Sequence, residues 1–180
     1  DRTEEAYYID IRTFLRYLKV INNDIYSKNG KVLYSVASTK TKYKVRKSVK
    51  EIEDGAFYKN DSIKSIYLPD SVKEIGEEAF GDMENLQSIR FSRSISELDY
   101  AMFNKCKKLK TVKLPKRIQT ICGNFGGKKN CYLKKIYINA VNLKKSNLKS
   151  LPKKCKVYVK SKNVKNQVKK AGFKGKVIIR

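Results

Sequence analysis

The chain has 180 residues, 41% hydrophobic and 33% charged, a balance that permits a buried core and argues against wholesale disorder. Its 42 Lys and Arg against 17 Asp and Glu give a formal net charge of +25, and with no histidine the usual Ser-His and Cys-His nucleophile pairs are excluded. No apolar run of about 18 residues occurs, so no segment has the pattern of a membrane-spanning helix.

In chain order, Asp1 to Arg12 fits the apolar period of the later residues only loosely and is expected to be a broken or capping repeat; opening at Asp1 with no basic-then-apolar leader suits a processed protein or part of a longer one. Leu15, Leu18 and Val20 then set an apolar spacing of 0, +3 and +5. Residues 22–36 interrupt it as a β-hairpin-like insert, with Asn29-Gly30 as the turn between Ile25-Tyr26 and Val32-Leu33-Tyr34. Tyr43 and Val45 resume the pattern, and a period of 23 becomes plain: Ile52, Ile75, Leu98 and Ile121; Phe57, Phe80 and Phe103; Val49, Val72, Ile95 and Ile118. The triplets Ile63-Ile66-Leu68, Leu86-Ile89-Phe91 and Leu109-Val112-Leu114 keep it, and Leu133-Ile136-Ile138 arrives after 24, the slip falling in the glycine-containing segment 123–127.

Each unit is too short for a helix in its L-x-x-I-x-L part, which ends in strand-like alternation. Pro69 and Pro115 close two of these strands. Glu77-Glu78-Ala79-Phe80 is expected to form one helical or 3₁₀ turn, with Phe80 inside. A single unit cannot bury its apolar side, but stacked units bury one another's. The expected fold is therefore an α/β repeat solenoid of about 23-residue units, with a parallel β ladder on one face and short helical turns opposite. Its array is expected over residues 1–160. Residues 161–180 then form a cap of the same domain: Ser161 as N-cap, Val164, Val168 and Ala171 as an apolar stripe, Gly172 as helix end, and Val177-Ile178-Ile179 as a last strand.

Charge is unevenly distributed along this array. All 17 acids lie at or before Asp99, alongside 17 basic residues, so residues 100–180 hold the remaining 42 − 17 = 25 basic residues and no acid. Such a field attracts polyanions, although a solvated lysine-rich face would have the same composition. Cys106, Cys122, Cys131 and Cys155, separated by 16, 9 and 24, form no metal-binding pair and leave open two disulfides or buried free thiols.

The string Val72-Lys73-Glu74-Ile75-Gly76-Glu77-Glu78-Ala79-Phe80, followed by Leu86-Gln87-Ser88-Ile89, resembles the BspA-type leucine-rich repeat, whose consensus runs roughly P-x-S-V-x-x-I-G-x-x-A-F-x-x-C-x-x-L-x-x-I. Cys106 stands at the Cys position of its unit; Met83 and Asn60 stand there in theirs. Asn23 to Tyr34 is similar to the family's tyrosine- and glycine-containing insert, and Val157-Tyr158-Val159 with Val164, Val168 and Gly172 is similar to its closing segment. The Ile121 unit departs, with Gly123-Asn124-Phe125 in place of G-x-x-A-F. The resemblance implies a secreted or surface-attached bacterial protein, an adhesion module that binds a host or neighbouring-cell protein or glycan. With no histidine and no nucleotide- or metal-binding motif in the sequence, it is expected to be non-catalytic and without cofactor.

Two sets of residues are candidates for binding. Outward strand positions Lys44, Tyr67, Arg90, Lys113, Tyr137 and Tyr158, with Lys19 before them, would line a seven-strand ribbon roughly 30 Å long at the usual strand spacing. Tyr and Arg favour interfaces, though strand faces also use Tyr as a β-former and Lys as a solubiliser. Lysine pairs Lys107-Lys108, Lys128-Lys129, Lys134-Lys135 and Lys153-Lys154 would form a stripe for an anionic cell-wall polymer or sulfated glycan. Lysine's dominance there favours diffuse attraction over sequence-specific nucleic-acid reading. A monomeric module is expected, and a plain spacer within a longer surface protein is the remaining alternative.

Overall fold

The computed structural model describes residues 13, 15–123, 125 and 131–180. The expected N-terminal capping repeat in 1–12, the Lys128-Lys129 pair, Asn124, Gly126 and Gly127 lie outside the described residues.

The chain is a solenoid of about six turns, and its 23-residue period is visible in the strand registers. One ladder carries the ribbon: β4 (Lys42–Lys44), β6 (Ser65–Tyr67) and β8 (Ser88–Arg90) pair in parallel, as do β10 (Thr111–Leu114), β12 (Lys135–Ile138), β13 (Lys156–Val159) and β14 (Val177–Ile179). The second ladder is built from the S-V-x-x-I segments: β5 (Glu51–Ile52) pairs with β7 (Glu74–Ile75), and β9 (Glu97–Leu98) with β11 (Thr120–Ile121). At its N-terminal end stand β1 (Leu18–Ile21), β2 (Asp24–Ser27) and β3 (Val32–Ser35), paired antiparallel in that order, and β3 joins β5 in parallel. Lys19 on β1 therefore sits in this second sheet and not on the ribbon, because the hairpin of β2 and β3 carries its strand there.

The interior is one continuous apolar core in which the recurrent residues of successive turns are buried against each other. Ring centroids run Tyr43–Phe57 5.3 Å, Phe57–Phe80 5.3 Å, Phe80–Phe103 6.0 Å and Phe103–Phe125 6.2 Å. Phe125 takes the place of the Ala-Phe pair in the irregular unit.

Opposite the ribbon, the expected helical turns are turns without helical continuation. Gly55, Glu78 and Ala101, at intervals of 23, have φ of 60, 49 and 50°, and Lys59, Asp82 and Lys105 repeat the left-handed conformation at 59, 55 and 53°. A left-handed residue ends right-handed helix geometry, so amides here bond across turns instead: Phe57 N–H donates to the Ala79 carbonyl (2.9 Å) and Asp82 N–H to that of Asn104 (2.7 Å). After β13, Ser161 caps helix α1 (Lys162–Lys170) by accepting from the Val164 N–H, Val164 and Val168 are buried, and β14 pairs with β13. Among the described residues, no helix is long and apolar enough to cross a membrane.

All four cysteines are free thiols, so the two-disulfide alternative is not formed. Burial pushes the Cys106 and Cys155 thiols up to about 12 and Cys131 up to about 11.

Candidate functional site

Strand alternation decides which side chains face out of the ribbon, and the parallel register aligns them. Lys44, Tyr67 and Arg90 are register partners across β4, β6 and β8; Lys113, Tyr137, Tyr158 and Ile178 are partners across β10, β12, β13 and β14. All six ribbon candidates thus lie in one column, in two groups. In the first, Tyr67 lies between two cations, Lys44 Nζ at 5.2 Å and Arg90 Cζ at 4.8 Å from its ring centroid. In the second, Tyr137 stacks on Tyr158 at 4.7 Å with planes 18° apart, and also meets Lys113 Nζ at 5.8 Å and Arg180 Cζ at 4.2 Å. Both groups join exposed cations to half-buried aromatic rings, a combination suited to planar or anionic ligand groups. Arg180 was not among the sequence candidates. Its signal was the alternation of the last strand, which ends one residue short of it.

The two groups are separated by a gap in the ladder. No backbone hydrogen bond joins β8 to β10, nor β7 to β9, among the described residues. On the ribbon side this leaves a cavity of about 460 Å³ between Arg90 and Lys113, walled by Ile89, Phe91 and Leu114. On the other side a cavity of about 400 Å³ is lined by Glu51, Glu53, Asp54, Glu74, Glu97 and Asp99 among others. Burial, then Glu53 and Glu74, push the Glu51 carboxyl above the usual glutamate value.

The described lysine pairs do not share one environment. Lys107 forms an ion pair with Glu84 at 2.6 Å, which raises its pKa, and Lys108 Nζ donates to Asn85 Oδ1 at 2.7 Å, so both are held by the acid-bearing half. Lys135 is on β12 beside the ribbon column, directly after Lys134. Lys153 and Lys154 line a cavity of about 650 Å³ with Lys149 and Lys174 over Leu151 and Pro152, with no carboxylate in its walls. Among the described residues no group of His, Cys, Asp and Glu is placed to hold a metal ion.

Comparison with known proteins agrees with this geometry. The BspA type leucine rich repeat region matches residues 19–157 in six copies. The crystal structure of the pneumococcal vaccine antigen PcpA is similar, with TM-score 0.67 and 23% identity over 91% of this chain and 48% of that one. A leucine rich cell surface protein from Faecalibacterium prausnitzii A2-165 has TM-score 0.61 and 26% identity over 91% of this chain and 39% of its own. A T. pallidum leucine rich repeat protein has TM-score 0.59 and 18% identity, covering 92% of this chain and 98% of its own. The chain thus spans less than half the length of the first two. No curated protein matches it.

Proposed function

The chain belongs to the BspA-type leucine-rich repeat family, and on that premise we propose that it is a non-catalytic binding module displayed outside a bacterial cell, recognising a protein or glycan through the ribbon. The observation that carries this reading is the outward row of Lys44, Tyr67, Arg90, Lys113, Tyr137 and Tyr158, whose rings and cations are packed on one another within each of its two groups before any ligand arrives. Rings held against neighbours lose little rotamer freedom on binding, which favours affinity. Residues 161–180 then close the end of the stack, as repeat arrays require. Surface display accords with the Faecalibacterium relative, itself a cell surface protein. The test is adhesion of beads carrying the chain to arrays of matrix proteins and glycans. Loss of a verified interaction on replacing Tyr67, Arg90 and Tyr137 together is expected; undiminished adhesion overturns the site.

The acid-free half supports a second reading, contact with an anionic wall polymer or sulfated glycan. Its specific support is the carboxylate-free cavity of Lys149, Lys153, Lys154 and Lys174. Attachment of this kind falls steeply with salt, so binding to teichoic acid that persists at about 1 M ionic strength, where screening acts within about 3 Å, overturns it.

A further inference from the structure

We propose that the gap between β8 and β10 is the recognition slot of the ribbon, and that it takes an acidic side chain of an extended peptide segment in a protein partner. The inference rests on the ribbon reading and names the partner class for it.

The gap is a property of the whole junction. Both ladders lose their backbone bonds between the same two turns of the solenoid, while the turn side keeps them, with Glu78 N–H donating to the Tyr100 carbonyl at 2.9 Å and Asp82 N–H to that of Asn104 at 2.7 Å. The stack is therefore opened like a wedge about its turn side. At this junction Phe91 stands where Leu68, Leu114 and Ile138 stand in the other turns, and its ring meets Phe103 edge-on at 6.1 Å.

Strand alternation fixes what faces the opening. Ser88 N–H donates to the Lys64 carbonyl and Arg90 accepts from the Leu68 N–H, so both face β6 and the peptide groups of Ile89 face the gap. Across it, the Lys110 carbonyl accepts from Lys134 and Lys135, which turns the peptide groups of Thr111 and Lys113 toward β8. Cα atoms of β8 and β10 still approach within 8 Å, less than the roughly 9.6 Å that an inserted strand needs. The opening therefore admits a side chain reaching in from a segment that lies over it, and the N–H groups facing the gap are donors for a carboxylate. Arg90 and Lys113 flank the opening and no carboxylate lines it. Arg93, also on its rim, is already paired with Asp70. A ligand carboxylate between Arg90 and Lys113 would receive charge-assisted hydrogen bonds over the apolar walls of Ile89, Phe91 and Leu114. The cavity on the opposite side of the junction is lined by carboxylates and repels the same group, so acid in the partner selects the ribbon side.

The experiment selects phage-displayed random peptides on the whole chain. It then measures the affinity of selected peptides for the wild type, for Arg90→Gln with Lys113→Gln, and for Tyr67→Ser with Tyr137→Ser. Arg90 and Lys113 are exposed, so the first variant should melt as the wild type does. Selected peptides are expected to carry Asp or Glu, to lose roughly tenfold or more in affinity for the Gln variant, and to shift the amide resonances of Ile89, Thr111 and Lys113. Acid-free peptides, or affinity that the Gln variant leaves intact, overturn the slot. If affinity still falls in the Tyr variant, the ribbon reading survives; indifference to both variants removes it too. A selection that yields no peptide overturns the proposal, as does one in which only a sulfated oligosaccharide moves those amides.

Discussion

The rings of Phe80 and Phe103, 23 residues apart in sequence, stack with centroids 6.0 Å apart and planes 13° from parallel. This contact repeats the period of the chain in three dimensions, and successive rings of the column meet from one turn to the next. Phe80 is fully buried, so Phe80→Ala empties a packed site in the middle of the column and should destabilise by about 3–5 kcal/mol. Urea unfolding followed by circular dichroism measures it, and a loss below about 1 kcal/mol would mean the turns do not share a core.

Most of this column was legible because apolar period and strand alternation are properties of residue order. Val49, Ile52, Ile66 and Leu68, expected inside, are all buried, and the outward positions from Lys44 to Tyr158 fell into one column. What the sequence did not show depends on backbone conformation and partner strands. Glu78 and Ala101 carry no glycine signal for the left-handed turn they adopt, so a helical turn was expected there. Phe91 fits the apolar pattern, so residue order carries no signal for the open junction beside it. Lys19 kept the apolar spacing of the ribbon strands while its strand pairs with the hairpin.

Within that hairpin region, Tyr43 Oη donates to Asp24 Oδ2 at 2.6 Å, while Asp24 Oδ1 accepts from the Ala37 and Ser38 amides at 2.9 and 3.1 Å. The buried carboxylate thereby ties the insert to the first ribbon strand, and Tyr26 Oη lies 3.2 Å from Tyr43 Oη. Tyr43→Phe removes one charge-assisted donor and should cost about 1.5–3 kcal/mol in urea unfolding. Burial, then the bond to Asp24, push the Tyr43 phenol above its ordinary value of 10.0. The folded state therefore holds this proton more tightly than the unfolded chain, and stability should fall as pH rises past about 10. Tyr43→Phe should flatten that alkaline limb; an unchanged slope would assign it to other groups.

At the turns, Glu78 has φ of 49° where its counterpart one turn earlier is Gly55 at 60°. A residue with a Cβ pays roughly 1–2 kcal/mol for the left-handed conformation, partly offset because glycine loses about 0.5–1 kcal/mol more entropy on folding. Glu78→Gly should accordingly stabilise the chain, by about 0.5–1 kcal/mol, visible as a higher melting temperature. A lower one would mean that Glu78 makes a contact whose loss outweighs the relief.

On the far side of the open junction, Glu51 of β5 and Glu74 of β7 are register partners, and Glu97 and Asp99 line the same cavity. Like charges directly opposite one another on adjacent strands are destabilising. Because the Glu51 carboxyl is raised above its usual 4.5 by burial, Glu53 and Glu74, the folded state binds its proton more tightly than the unfolded chain. The resulting contribution favours folding at low pH and is lost as pH rises from 4.5 through the raised value. Glu51→Gln keeps the shape and removes the charge, so it should raise the melting temperature at pH about 7.5 and leave it nearly unchanged at pH about 4, where the wild-type carboxyl is itself largely protonated. Equal gains at both pH values would point to packing, and a loss at pH about 7.5 would show that the charge is compensated within the cavity.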